Sequence, residues 1–231
     1  MIALFYEILY RPLFNLAVLL YTSFSGHDLG VAIIVLTVLI RVALFPFSSR
    51  ALKSQRELSK LAPKIQEIKE RNKNDSTAQS AAIMQIYKEH NINPLSGCLP
   101  LLIQIPVLIS LYRVFLSVSG SKGFDALYSF MSRPDSINPM FLGFLNLASK
   151  SPVLALMAGA LQFIQTRLAA GATPKNTAPG GVPDLNSRML YFFPVMIVMI
   201  SWNLPAGLSL YWVTTTSFSI LEQLYIRRYS V

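Results

Sequence analysis

The run from Leu29 to Phe47, LGVAIIVLTVLIRVALFPF, places an arginine inside an otherwise apolar stretch. Its length of about 19 residues is close to the roughly 20 that an α-helix needs to cross the hydrocarbon core of a bilayer. Arg41 lies about nine residues before Arg50, where a basic flank begins, which at ~1.5 Å per residue is roughly 13 Å below the surface. A guanidinium near mid-bilayer costs at least about 2.5–3.5 kcal/mol; it either snorkels and bonds to carbonyls or marks a pathway or site. The acids (Glu7, Asp28, Glu57, Glu67, Glu70, Asp75, Glu89, Asp125, Asp135, Asp184, Glu222) all fall outside the middle of the apolar runs. With no carboxylate at hand, an unpaired charge is intolerable in a dry core, so a water-filled cavity reaching into the membrane is expected around Arg41. Thr37, four residues earlier on the same helical face, extends the polar stripe.

Composition agrees with a membrane protein. The 231 residues are 53% hydrophobic, with mean hydropathy +0.47 and net charge +9, too apolar for a soluble domain. The length suits one domain of several helices. The single cysteine, Cys98, excludes an internal disulfide. No internal repeat is evident.

Residues 1–24 begin with an apolar segment in which Glu7, Arg11 and Asn15 recur every four positions. That spacing predicts an amphipathic helix lying in the interface, kinked at Pro12. A cleaved signal peptide is the rival, but a basic n-region and a small-residue cleavage site are lacking. Gly26, Asp28 and Gly30 then break the chain, and residues 25–231 read as one core. The first span, about 29–47, gives way to a polar, charged stretch at 48–93, in which Leu58, Leu61, Ile65 and Ile68 follow 3-4-3 spacing. NKNDS at 72–76 reads as a turn with Asp75 or Ser76 as the next N-cap, and a second helix carries Ile83, Ile86 and Tyr87 to about His90. The expectation is a helical hairpin outside the membrane, with a solvated connector as the alternative.

A second span is expected at about 95–116, with Pro94, Pro100 and Pro106 at its start and interior and Gln104 in its middle. Residues 117–151 form a polar loop. The third span, about 152–168, carries Gln162, Gln165 and Thr166, and residues 171–186 are a linker by composition. The fourth span, about 189–202, is joined by NLPAG to the fifth, about 208–226. The third and fourth look short for a ~30 Å hydrocarbon core, which favours local thinning or water access. In the fifth, Trp212, Thr215, Thr216, Ser219 and Gln223 line one face, a pattern that also serves plain helix packing. The hairpin stretch holds nine Lys and Arg; with Arg167, Lys175, Arg188, Arg227 and Arg228 on the same side, only Arg11, Lys122, Arg133 and Lys150 fall opposite. The positive-inside rule then puts hairpin, linker and C-terminus in the cytoplasm and the N-terminal helix on the outer face.

Four stretches carry a resemblance: LTVLIRVALFPFSSRALKSQ, LAPKIQEIKER, NINPLSGCLPLLIQIPVLISLYRVF and NLPAGLSLYWVTTTSFSILEQ with the following IRR. In this order, covering the chain from about Asp28 to its end, they resemble the YidC family of membrane-protein insertases. The resemblance implies an all-α protein, five transmembrane helices around a hydrophilic groove, with a cytoplasmic hairpin. Arg41 matches the family's groove arginine, Gln104 a groove glutamine and Thr37 a polar neighbour. Tyr211 and Trp212 match aromatic positions near the substrate's route. The hairpin seam is associated with capturing substrates. Implied partners are nascent membrane proteins and lipid, with action alone or beside the Sec translocon. A ribosome contact would rest only on the short basic tail of Arg227 and Arg228. No cofactor, metal or direct nucleic-acid binding is implied. Where the family often has asparagine this chain has Thr216, and a large extracytoplasmic domain before the first span is not evident. The absence of a transit peptide favours a bacterial plasma membrane.

Three other readings compete. A transporter or channel would also explain an intramembrane arginine, but acids within the spans and internal repeats are wanting. An intramembrane protease would need a histidine partner; His27 and His90 lie at loops or ends, and HExxH does not occur. A scaffold whose hairpin docks other membrane proteins overlaps with insertion. A GxxxxGK[ST] phosphate loop is missing, which argues against nucleotide hydrolysis.

Overall fold

The computed structural model describes residues 6–23, 25–73, 75–90, 104–112, 123–131, 133–134, 136–170 and 185–229. Of the expected second span, 95–103 with Cys98 and 113–116 lie outside the described residues. The chain is mostly helical: α1 (Arg11–Ser23), α2 (Leu29–Arg71), α3 (Ser76–Glu89), a helical segment α4 at 104–112, α5 (Pro152–Ala170), α6 (Leu185–Asn203) and α7 (Ala206–Tyr229).

The composition changes sharply at residue 48, but the backbone does not. α2 runs unbroken for 43 residues through Pro46 and Pro63, a rod of about 65 Å. Each proline removes one intrahelical hydrogen bond, and strong helix formers such as Ala51, Leu52, Lys53 and Arg56 between them sustain propagation. The hairpin's first arm is therefore a direct extension of the first span. The turn after it follows the expected chemistry: Asp75 caps α3, accepting from the N–H groups of Thr77 (3.0 Å) and Ala78 (2.8 Å). No residue of α3 is buried.

The N-terminal helix packs differently from expectation. Pro12 cannot donate to the carbonyl one turn back, and the chain widens into a π-turn at Tyr6–Tyr10 before α1. Phe14, Val18 and Tyr21 join the main apolar core. The polar stripe also turns inward: Asn15 is 3% exposed, its Nδ2 donating to the carbonyl of Ala126 (2.8 Å) and its Oδ1 accepting from the N–H of Tyr128 (2.7 Å). Arg11 lies over the Tyr128 ring, 4.8 Å from its centroid. A buried backbone turn needs polar partners as much as a helix face needs water, and here the stripe supplies them.

Between α4 and α5 the described residues include a small hairpin that departs from an all-α chain. β1 (Met140–Phe141) pairs antiparallel with β2 (Leu145–Asn146), Met140 opposite Asn146. Leu142 (φ 51°) and Gly143 (φ 77°) make the left-handed turn between them. This loop covers the N-terminal ends of α2 and α7. Asp28 caps α2 with Oδ1, accepting from Gly30 (2.8 Å) and Val31 (3.0 Å), while its Oδ2 accepts from the N–H of Leu142 (2.6 Å). At α7, the N–H groups of Ala206 and Gly207, unpaired within the helix, donate to the carbonyls of Ser149 (2.7 Å) and Leu147 (3.0 Å). Gly30 is no helix breaker. A Cβ there would lie 2.1 Å from the Phe141 ring, so glycine lets β1 sit on the helix.

α5 packs against both α6 and α7. At Gly159 a Cβ would meet Val198 Cγ2 at 2.2 Å, the close approach through a small residue that membrane helices use in place of a hydrophobic drive. By length and composition, Leu29–Ser54 and Pro152–Ala169 can cross a bilayer, and Tyr191–Asn203 is a shorter apolar helix. α5 and α6, at 19 residues each, reach about 28 Å and are longer than their apolar runs suggest.

Asp28→Ala removes three acceptor contacts at the loop–α2 junction and is expected to cost about 1–2 kcal/mol, against about 0.5–1 for the exposed cap variant Asp75→Ala. Thermal unfolding of both in the same detergent measures the difference.

Candidate functional site

Along α2 and α7 the polar contacts advance together. Arg41 Nε donates to Thr215 Oγ1 (2.6 Å), and seven residues further on both helices Ser48 meets the Glu222 carboxylate. Beyond them Arg56 donates to the carbonyls of Ile226 (2.9 Å) and Gln223 (3.1 Å). Partner numbers rise together, so the helices run parallel, and the seven-residue repeat is that of a shallow-angle packed pair. The inward stripe of α7 is Leu208, Tyr211, Thr215, Ser219, Glu222 and Ile226, each buried.

From the third side comes α4. Gln104 bridges the pair: its Oε1 accepts from Arg41 Nη2 (3.2 Å), and its Nε2 donates to Tyr211 Oη (2.5 Å). These side chains enclose a cavity of about 30 Å³, measured as space open to the centre of a water molecule, room for about two waters. Thr37, Arg41, Ser48, Gln104, Tyr211 and Thr215 form its polar wall, with Leu44, Phe47 and Val107 among the apolar residues. A guanidinium has five N–H donors, and described side chains occupy only two of Arg41's. Its other donors are not among the buried unpartnered atoms, which within the described residues are Ser201 Oγ and Gln223 Oε1. They are accessible, and Arg41 lines the cavity. Chemically the site can solvate or hold an anion or a polar chain segment. Among the described residues no cluster of His, Cys, Asp or Glu could hold a metal.

Of the residues singled out from the sequence, Arg41, Thr37, Gln104 and Tyr211 meet at this cavity. Thr37 is 1% exposed and donates to the Ile33 carbonyl (2.6 Å), so its hydroxyl hydrogen is already used. Trp212 is half-buried and stands outside the cavity wall. Thr216 is buried beside the stripe. In the hairpin, Leu61 is buried and Ile65 and Ile68 are half-buried; the side chain of Leu58 lies outside the described residues.

Two residues went unnoticed in the sequence. Glu222 reads as an acid at the end of a span, yet it is 4% exposed and stands two helical turns from Arg41 along the parallel pair. Its partner Ser48 reads as the first polar residue of the flank. The available signal was the shared seven-residue offset from Arg41 and Thr215. Arg56, outside the membrane-spanning part, has its pKa lowered by desolvation and then by the charge of Arg227.

The family model described as 60Kd inner membrane protein matches residues 20–231. The chain belongs to this family. Proteins similar to this chain include one of Legionella pneumophila, 37% identical over 222 residues, covering 94% of this chain and 35% of the relative. One from Geobacter sp. strain M21 is 34% identical over 220 residues, covering 94% of this chain and 36% of the relative. One from Fusobacterium nucleatum is 33% identical, covering 87% of both chains. All three are named membrane protein insertase YidC. The chain spans about a third of the length of the Geobacter and Legionella relatives. A solved structure described as an active YidC insertase with the first transmembrane domain resolved superposes with TM-score 0.62 at 24% identity, covering 99% of this chain and 46% of the other. At that identity the likeness is one of fold.

Thr215→Val deletes the acceptor of Arg41 Nε at nearly constant volume and is expected to cost about 1.5–3 kcal/mol, as for a hydrogen bond to a charged group. Thr214→Val, whose hydroxyl only bonds back to Leu210, is expected to cost less than about 0.5 kcal/mol. Paired melting curves test the difference.

Proposed function

We propose that this chain is a membrane-protein insertase of a bacterial inner membrane, with five spans around a hydrophilic groove and both hairpin and C-terminus in the cytoplasm. The observation that carries the reading is Arg41, a guanidinium inside an apolar helix that lines a cavity while described side chains occupy only two of its donors. Family membership and the names of the relatives support it, and the excess of Lys and Arg supports the orientation. α4 contributes the second span, α5 to α7 the remaining three, and α1 lies at the outer face.

The work is done without covalent chemistry. A short polar segment of a nascent membrane protein enters the groove, where water and Arg41 lower its desolvation penalty. Carboxylates in that segment are attracted to the guanidinium. Thr215 and Gln104 orient the arginine, Tyr211 anchors the glutamine, Thr37 adds to the polar wall, and Trp212 flanks the route. The loop over the ends of α2 and α7 is the outer floor of the groove. The substrate's apolar span slides into lipid along α5 and α7, and burial of roughly 25 cal/mol per Å² of apolar surface drives the step. Leu58, Leu61, Ile65 and Ile68 on the hairpin offer the seam for substrate capture. The chain acts alone or beside the Sec translocon, and Arg227 and Arg228 are the residues available for a ribosome contact.

Reconstitution in liposomes with a single-span substrate tests the reading by protease protection of the substrate's tail. Wild-type protein should protect the tail. Arg41→Ala should reduce insertion of a substrate with an acidic tail on the order of tenfold, the equivalent of one charge-assisted hydrogen bond, and Arg41→Lys should reduce it less. Equal insertion by wild type and Arg41→Ala sinks the charge-attraction mechanism.

A further inference from the structure

Glu222 is the one buried carboxylate among the described residues, and the insertion mechanism above leaves it without a task. A solvent-starved carboxylate is costly unless something opposes its charge. Its hydrogen-bond partner is Ser48, whose Oγ lies in the cavity wall and also stands 3.1 Å from the Phe45 carbonyl. A single shared hydroxyl is a weak counterweight for a buried anion. Ser48 shares that wall with Arg41, the cation that lines the cavity. The two charges sit two helical turns apart along the parallel pair, Arg41 on α2 and Glu222 on the inward stripe of α7.

We propose that Glu222 is a specificity-determining residue of the groove, a resident counter-charge to Arg41 against which the carboxylates of an incoming substrate segment must compete. The inference rests on the insertase reading and gives that same site its substrate preference. With Glu222 ionised, Arg41 lines the cavity as a cation and a negative charge lies directly behind its wall, bonded to Ser48. Acidic segments gain from Arg41 and lose to Glu222, and basic segments do the reverse, so the groove tolerates tails of either sign. Without the carboxylate the groove is a net cation and favours acidic tails. Thr215 and Gln104, which bond to Arg41 directly, hold the guanidinium in place in either case.

The test uses the full chain in liposomes and two single-span substrates that differ only in their translocated tail, one with two aspartates and one with two lysines. Glu222→Gln keeps the side chain's shape and an oxygen for Ser48. At a separation of roughly 10 Å, the ratio of acidic-tail to basic-tail insertion should rise on the order of tenfold over wild type. An unchanged ratio, with both proteins inserting, overturns the proposal. A double-mutant cycle on thermal unfolding in detergent, with Arg41→Gln, Glu222→Gln and the pair, reads the same contact without any insertion. Coupled shifts, the double variant losing less than the two singles together, support the counter-charge, and additive shifts overturn it. If wild-type protein inserts neither tail, the insertase reading fails, and the cycle alone decides whether Glu222 balances Arg41.

Discussion

A guanidinium in the middle of an apolar helix cannot be left to itself, and the placement of α4 and α7 around α2 answers to that constraint. Arg41 is held by a hydroxyl from α7 and an amide from α4, and the amide is anchored in turn by the Tyr211 hydroxyl. These partners are neutral, so the positive charge is oriented without being cancelled on contact. A carboxylate in direct contact would have closed the site as a structural ion pair. Neutral acceptors at two of five donors leave the remainder for water or for a visiting chain.

The helices α2 and α7 must stay together at their N-terminal ends without filling the space between them. The loop over 136–149 does this with backbone groups: it takes the free N–H groups at the start of α7 and gives its own Leu142 N–H to the α2 cap. Satisfying helix ends with a loop spares the side chains between them. Leu147, fully buried, plugs the same end. The cavity begins only below this layer, extending along α2 from Thr37 to Ala51. A polar segment admitted from the hairpin side would reach Arg41 before it reached the closed end.

Much of this was legible in the sequence where a polar residue interrupts an apolar run, because the physics there is one-dimensional. Arg41, Thr37, Gln104 and Tyr211 stand out on that ground or by resemblance, and they come together at one cavity. Legibility failed where the answer lay in a second element. Whether Asn15 faces water or the backbone of the 123–131 turn depends on a partner more than a hundred residues away, and amphipathic spacing is the same for both. Gly30 looks like a breaker until Phe141 is seated on it. The change of composition at residue 48 suggests a boundary that the backbone ignores, because helix propensity is continuous across it even though hydropathy is not. Glu222 was hidden by its place near a span's end, where an acid is cheap if it faces out. Only the parallel register with α2 turns it in.

That register gives the interior an order along its axis: hydroxyls, then the Arg41 cation, then the Glu222 carboxylate, then Arg56 against the last carbonyls of α7. A passage lined by one sign of charge would attract its complement and hold it, and a site that binds tightly is slow to release. Alternating groups several ångströms apart lower the penalty of dehydrating a polar segment of either sign while giving no single point of strong capture. Under the proposed insertase reading, in which a chain is passed onward and not kept, a shallow and balanced well suits better than a deep one. On this view the free energy of the process comes from the substrate's own apolar span entering lipid, and the groove's part is to keep the polar end from being an obstacle.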